Sequence, residues 1–168
     1  PPNDGRDLLA EVAPVLKAAD LAFGNLEGPL LDGGQSTKCP PRKTNRCFAF
    51  RVPTAYGALL KEAGFDVMGI ANNHASDFGA EGVESSKKVL DALGIAHSGP
   101  VGDLARMTIK GKRVGLIAFS TSRAMYDLTD LESARVAVEQ LKAESDLVIV
   151  SFHGGAEGAD FQRVPKKE

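Results

Sequence analysis

A layered α/β fold is what this sequence predicts, on three observations. Short apolar runs alternate with segments of helical periodicity. Three of those runs stop abruptly at clusters of Asn, His and Glu: Asn25-Leu26-Glu27, Asn72-Asn73-His74 and His153-Gly154-Gly155-Ala156-Glu157. Two further apolar runs, around Ile109 and Val114, flank a glycine turn in the manner of a hairpin. With 168 residues and 43% hydrophobic content, the chain is long and apolar enough for one domain with a real core.

Each element has its own signal. Leu8, Leu9, Val12, Val15 and Leu16 follow helical spacing, with Pro14 resetting the helix start. Asp20 to Gly24 reads as a strand. Residues 28–48 form a long loop with Gly33-Gly34 and Pro40-Pro41, a length that marks a functional or mobile connection. Tyr56, Leu59, Leu60 and Ala63 predict a short helix closed by Gly64, and Val67 to Ala71 a strand. Val83, Ser86, Val89, Leu90 and Leu93 line one face of a helix that ends at Gly94. Met107 to Phe119 predicts the hairpin, and Leu131, Ala134, Val138 and Leu141 the last helix. Leu147 to Phe152 is continuously apolar, the pattern of a strand buried on both faces.

Composition narrows the function. A net charge of −2 gives no general attraction to nucleic acid, and with no Trp and 6% aromatic residues base stacking is disfavoured. No apolar run approaches membrane-spanning length and no signal peptide is visible, but both ends read as cut from a longer protein. Cys39 and Cys47 lie in a polar, Pro-containing segment, so a disulfide and an oxidising compartment are expected over two reduced thiols. Lys38, Arg42, Lys43, Arg46, Arg51 and Lys61 occur in a stretch without acids, which reads as a solvated loop or a polyanion-attracting surface.

The polar clusters carry the chemistry. An amide oxygen at Asn73 can ligate a cation while the His74 imidazole gives a proton to a leaving oxygen. The competing reading makes Asn72 or Asp77 a helix cap. Glu27 suits a metal or a base, or a solvated turn. His153, followed by two glycines that let backbone approach a ligand, suits a metal. His97 has no evident partner and is expected at the surface. Gly-x-Gly-x-x-Gly, Walker and Gly-x-Ser-x-Gly patterns are absent.

Taken together, Asn25-Leu26-Glu27-Gly28-Pro29, Ala71-Asn72-Asn73-His74-Ala75-Ser76-Asp77-Phe78-Gly79 and Val148-Ile149-Val150-Ser151-Phe152-His153-Gly154-Gly155-Ala156-Glu157 resemble the CapA family. These are bacterial capsule-synthesis proteins named for poly-gamma-glutamate production and similar in fold to calcineurin-like metallophosphoesterases. The resemblance implies one domain over residues 1–168. Its fold would be a four-layer α-β-β-α sandwich of metallophosphoesterase-like type, incomplete at both ends. It implies a site in which Asn25, Glu27, Asn73 and His153 hold a divalent metal (Mn, Zn or Mg). His74 and Asp77 would be catalytic, and Asn72, Gly154, Gly155 and Glu157 would bind substrate. The implied function is capsule or envelope polymer biosynthesis, with a metal-dependent hydrolase acting on a phosphoester or polymer amide. The alternative is a non-catalytic cell-surface protein that handles an anionic polymer. Partners would be that polymer and other capsule-synthesis proteins, in the periplasm or outside the cell, with any membrane anchor lying beyond these residues. Two departures stand out. The phosphoesterase Asp/His and Gly-His-x-His motifs are absent, and Ala75 replaces the acid that follows the His. Weak metal binding by residues 1–168 alone is the consequence expected.

Overall fold

In the computed structural model, residues 2–39, 47–156, 158–161 and 163 are described. Among the described residues, seven strands form two sheets. Strands β1 (Phe23–Asn25), β2 (Val67–Gly69) and β3 (Ala96–Ser98) make the first, all parallel, in the order β1-β2-β3. The second is mixed. Its long central strand β5 (Lys112–Ser120) pairs antiparallel with β4 (Ala105–Ile109), and parallel with both β6 (Tyr126–Asp127) and β7 (Leu147–His153).

The helices begin and end where local chemistry dictates. α1 (Ala13–Ala18) carries Pro14 in its first turn, where the missing N–H costs nothing. Leu8 and Leu9 fall in turns before it instead of extending it, and Leu8, Val12 and Val15 stay exposed. α2 (Gly57–Ala63) closes on Gly64 at φ 104°, a left-handed cap that glycine adopts without strain. α3 (Gly79–Ala92) buries Gly82, Ser86 and Leu90, and α4 (Leu131–Glu144) is capped by the Asp130 carboxylate, which accepts from the Ser133 N–H.

Alternation along β5 separates two cores. Leu116 and Ala118 face the first sheet and pack with Val67, Ala71, Ala75, Ala105 and Met125. Ile117 and Phe119 face the other way, against Ala137 and Leu141 of α4. A third cluster, Leu30, Met68, Ile70, Leu90 and Ile95, joins the far side of the first sheet to α3 and the loop after β1. The start of that long loop is therefore anchored at Leu30. Leu30 donates its N–H to Ser86 Oγ at 2.9 Å and accepts from Ser85 Oγ at 2.6 Å.

One expectation fails for a clear reason. β7 is not buried on both faces: Leu147, Val150 and Phe152 are exposed. Among the described residues β7 pairs with β5 alone, so it is a sheet edge, and α4 covers only part of one face. The short strands β3 and β6 escape sequence reading because, unlike β1 and β2, they lie in no apolar run: His97 and Ser98 fill β3 and Asp127 ends β6.

Candidate functional site

The site is built on the turns that follow β2. Ile70 and Ala71 continue the buried run, and Asn72 then enters the core with no exposed surface. Its Nδ2 donates to the Leu26 carbonyl at 2.8 Å and to Asn25 Oδ1 at 3.2 Å, while its Oδ1 accepts from the His74 N–H at 3.1 Å. The Asn72 carbonyl accepts from Ser122 Oγ at 3.0 Å, which ties the turn to the second sheet. Every side-chain atom of this amide that can hydrogen bond is engaged by protein. Asn72 thus orients the β1 and β2 ends toward each other. Neither Asn72 nor Asp77 caps α3, since the cap position is Phe78 and no side chain bonds there.

Asp77 is the electrostatic centre. Its side chain is fully buried, and its Oδ2 accepts from His74 Nδ1 at 2.7 Å and from the Phe50 N–H at 2.7 Å. Lys38 Nζ lies 2.9 Å from Oδ1, an ion pair and not an aligned hydrogen bond, because that oxygen has no hydrogen-bond partner among the described residues. A carboxylate only accepts, so the His74 proton sits on Nδ1 and leaves Nε2 as the nitrogen through which the ring can exchange a proton. Phe50 stacks on the imidazole with ring centroids 3.9 Å apart. Sequence reading found His74 and Asp77 but missed Lys38 and Phe50 as their partners, because both arrive from the long loop.

The remaining candidates meet this turn from two sides. Asn25 ends β1, exposed, with its Nδ2 3.3 Å from Glu27 Oε2. His153 ends β7, and its Nε2 lies 3.1 Å from Asn73 Oδ1. The β5–β7 register decides this, since Ser120 pairs with His153 on the face turned to the first sheet. Gly154 and Gly155 follow, exposed, with Gly155 at φ 126°. Glu157, Arg42, Lys43 and Arg46 lie outside the described residues. The structure therefore brings together Asn25, Glu27, Asn72, Asn73, His74, Asp77 and His153.

Among the described residues no group of three or more His, Cys, Asp or Glu is placed to hold a metal ion, so a cation here would have to rest on amide oxygens as well. Adjacent ligand atoms about 2.1 Å from one octahedral cation stand about 3 Å apart, and Asn73 Oδ1 and His153 Nε2 have that spacing. Glu27 would add the single carboxylate, with Asn25 beside it. One carboxylate, one imidazole and two amides are a sparse set for tight binding.

His97 corrects another expectation. It is buried, not on the surface, with Nδ1 2.8 Å from Asp103 Oδ2 and Nε2 3.1 Å from Asp91 Oδ1. Both carboxylates are six residues away in sequence, on opposite sides, a signal that was there to be read. Bonding to Asp103, chiefly, raises the imidazole above its ordinary value against the opposing pull of burial. Its partners belong to none of the strand-end clusters. A cleft of about 530 Å³ between α4 and the Tyr126 region contains no candidate site residue either. The expected disulfide is present: Cys39 and Cys47 are bonded, with Cα atoms 5.7 Å apart.

Residues 1–167 match the family model described as bacterial capsule synthesis protein PGA_cap. An uncharacterized protein of Sinorhizobium fredii, y4sH, is 35% identical over 83% of this chain and 32% of its own length. The capsule biosynthesis protein CapA of Bacillus anthracis is 27% identical over 94% of this chain and 42% of its own. The PGA biosynthesis protein CapA of Bacillus subtilis is 26% identical over 87% of this chain, again 42% of its own. The chain thus spans less than half the length of these relatives. It belongs to the bacterial capsule synthesis protein PGA_cap family.

Proposed function

We propose that this chain forms a metallophosphoesterase-like site of a capsule or envelope polymer biosynthesis protein, and that the site is hydrolytic and metal-dependent. The order of the three clusters, helix against sheet, sheet against sheet and sheet against helix, supports a four-layer α-β-β-α arrangement. The observation that carries the functional reading is the buried His74–Asp77 pair at 2.7 Å, one residue from the Asn73–His153 pair at 3.1 Å.

In this reading Asn73 and His153 hold the cation, with Glu27 and Asn25 at its edge. When bound, the cation polarises the oxygen of a phosphoester or polymer amide. Asp77 accepts from the Nδ1–H of His74, and the imidazolium so held delivers its Nε2 proton to the leaving oxygen, returning to the neutral ring. Phe50 shields the imidazole from water on one face. The setting would be the cell envelope. The relatives' printed names support the capsule role, and the Cys39–Cys47 disulfide supports an oxidising compartment.

The test is hydrolysis of poly-gamma-glutamate and of a generic phosphodiester by the full-length protein with manganese. His74→Ala is expected to lower the rate by about 10²–10⁴-fold, the usual contribution of a positioned general acid. Full activity in His74→Ala would overturn the catalytic reading. Polymer binding without turnover in the wild type would favour a non-catalytic protein that handles an anionic chain.

A further inference from the structure

The loop between β1 and α2 reaches the site with two arms, and a disulfide joins them. On the first arm Ser36 Oγ and the Thr37 N–H donate to the Asp77 carbonyl, each at 2.9 Å. Lys38 follows, its Nζ 2.9 Å from Asp77 Oδ1, 3.2 Å from His74 Nδ1 and 3.0 Å from the Asn73 carbonyl oxygen. Cys39 comes next. On the second arm, three residues beyond Cys47, Phe50 donates its N–H to Asp77 Oδ2 and stacks on His74. One buried aspartate thus receives both arms, and the Cys39–Cys47 bond sets how far apart the arms can move.

We propose that Lys38 is a positioning residue for the His74–Asp77 pair and that the Cys39–Cys47 disulfide holds it in place, so that the site is ordered only in the oxidised protein. Two features require this arrangement. The Asp77 carboxylate is fully buried, and its Oδ1 faces no hydrogen-bond donor in alignment, so the Lys38 ammonium is the charge that compensates it. Lys38 is itself about one-third exposed; Ser36 and Thr37 tie its backbone to the Asp77 carbonyl, and the disulfide is the second tie, the one that keeps this arm against the Phe50 arm and limits the freedom of so long a side chain. Reduction by a dithiol transfers two electrons. The Sγ–Sγ bond breaks, each sulfur gains a proton to become a thiol, and the reductant leaves as its cyclic disulfide. The arms are then linked only through the residues between them. Asp77 must either hydrate, which opens the turn, or lose its hold on the imidazole. The proposal rests on His74 and Asp77 being the working pair of the hydrolytic reading.

Stacking supplies a reporter that needs neither metal nor substrate. The Phe50 ring lies on the His74 imidazole, so its ring current displaces the His74 carbon-bound proton signals. Full-length protein labelled at histidine would be compared oxidised, after dithiothreitol, and as Lys38→Met and Lys38→Arg. The three histidines are His74, His97 and His153, and His97 serves as the internal control for folding. In Lys38→Met and in the reduced wild type, the His74 signals are expected to lose their ring-current displacement. Hydrogen exchange of the Phe50 amide should rise by about tenfold or more, as for a lost hydrogen bond to a charged group. Lys38→Arg should keep both, and His97 should not move in any sample. Unchanged His74 signals in Lys38→Met and after complete reduction would overturn the proposal. If the signals behave as expected but the protein never hydrolyses a polymer or phosphoester, the strap stands and the hydrolytic reading falls. If hydrolysis persists undiminished in Lys38→Met with His74 unmoved, the reverse holds.

Discussion

Asn72 shows how one side chain can assemble a site without entering its chemistry. Its amide bonds the Leu26 carbonyl, Asn25 Oδ1 and the His74 N–H from a position with no solvent contact. Asn72→Ala leaves two buried backbone groups unsatisfied. It is expected to destabilise the chain by about 2–4 kcal/mol, read from urea denaturation midpoints. Asn72→Asp should be worse, because an oxygen would then face the Leu26 carbonyl. His97 makes a second residue-scale statement, about pH. Its folded value is raised, by Asp103 first and Asp91 in addition, above the ordinary 6.5. The charged imidazole therefore contributes its full stability below pH 6.5, and that contribution is lost as pH rises through the higher folded value. Wild-type denaturation midpoints should fall across that window, and His97→Gln should flatten the slope. An equal slope in the variant would assign the pH dependence to another group.

The elements fit together through close approaches that only glycine allows. A Cβ at Gly115 on β5 would stand 2.6 Å from Leu141 Cδ1 and 2.7 Å from Ser145 Oγ, so α4 rests directly on the strand backbone there. Gly115→Ala is expected to lift α4 and cost about 1–3 kcal/mol, the range for overpacking a filled core. The loss should be visible as reduced exchange protection along α4. β7 teaches the opposite lesson. Its run Leu147-Val148-Ile149-Val150 has the composition of a central strand, yet it lies at a sheet edge with half its side chains in solvent. Composition reports that a strand wants burial, and the neighbours determine whether it receives it.

For the whole molecule, the sparse ligand set predicts how metal and stability are linked. The chain spans 42% of the Bacillus relatives' length, and among its described residues the His153 imidazole stands beside Asn73 with no group of three or more His, Cys, Asp or Glu placed to hold a metal ion. Manganese should therefore raise the melting temperature of the full-length protein, by about 2.7 kcal/mol of added stability at a hundredfold excess over Kd. Residues 1–168 alone should respond more weakly, and Asn73→Ala should abolish the response in both. Equal responses from the two proteins would mean that these residues already contain the complete site. Among the described residues no helix is long and apolar enough to cross a membrane.

What this sequence determined by itself is everything that depends on near neighbours. The helix with Pro14 in its first turn, the cap at Gly64, the turn at Gly111 and the alternation along β5 all follow from local sterics and period. The strand ends that carry Asn25, Asn73 and His153 were legible for the same reason, since an apolar run stopping at polar residues needs no tertiary knowledge. Tertiary structure alone decided which groups face one another. The β5–β7 register placed His153 on Asn73, and the disulfide-closed loop carried Lys38 and Phe50 across 27 or more residues onto Asp77. It also drew His97 into the core between Asp91 and Asp103. Such pairings arise from burial, which makes an unpartnered charge or hydrogen-bonding group costly. The identity of the partner is set by how the layers pack, not by spacing along the chain.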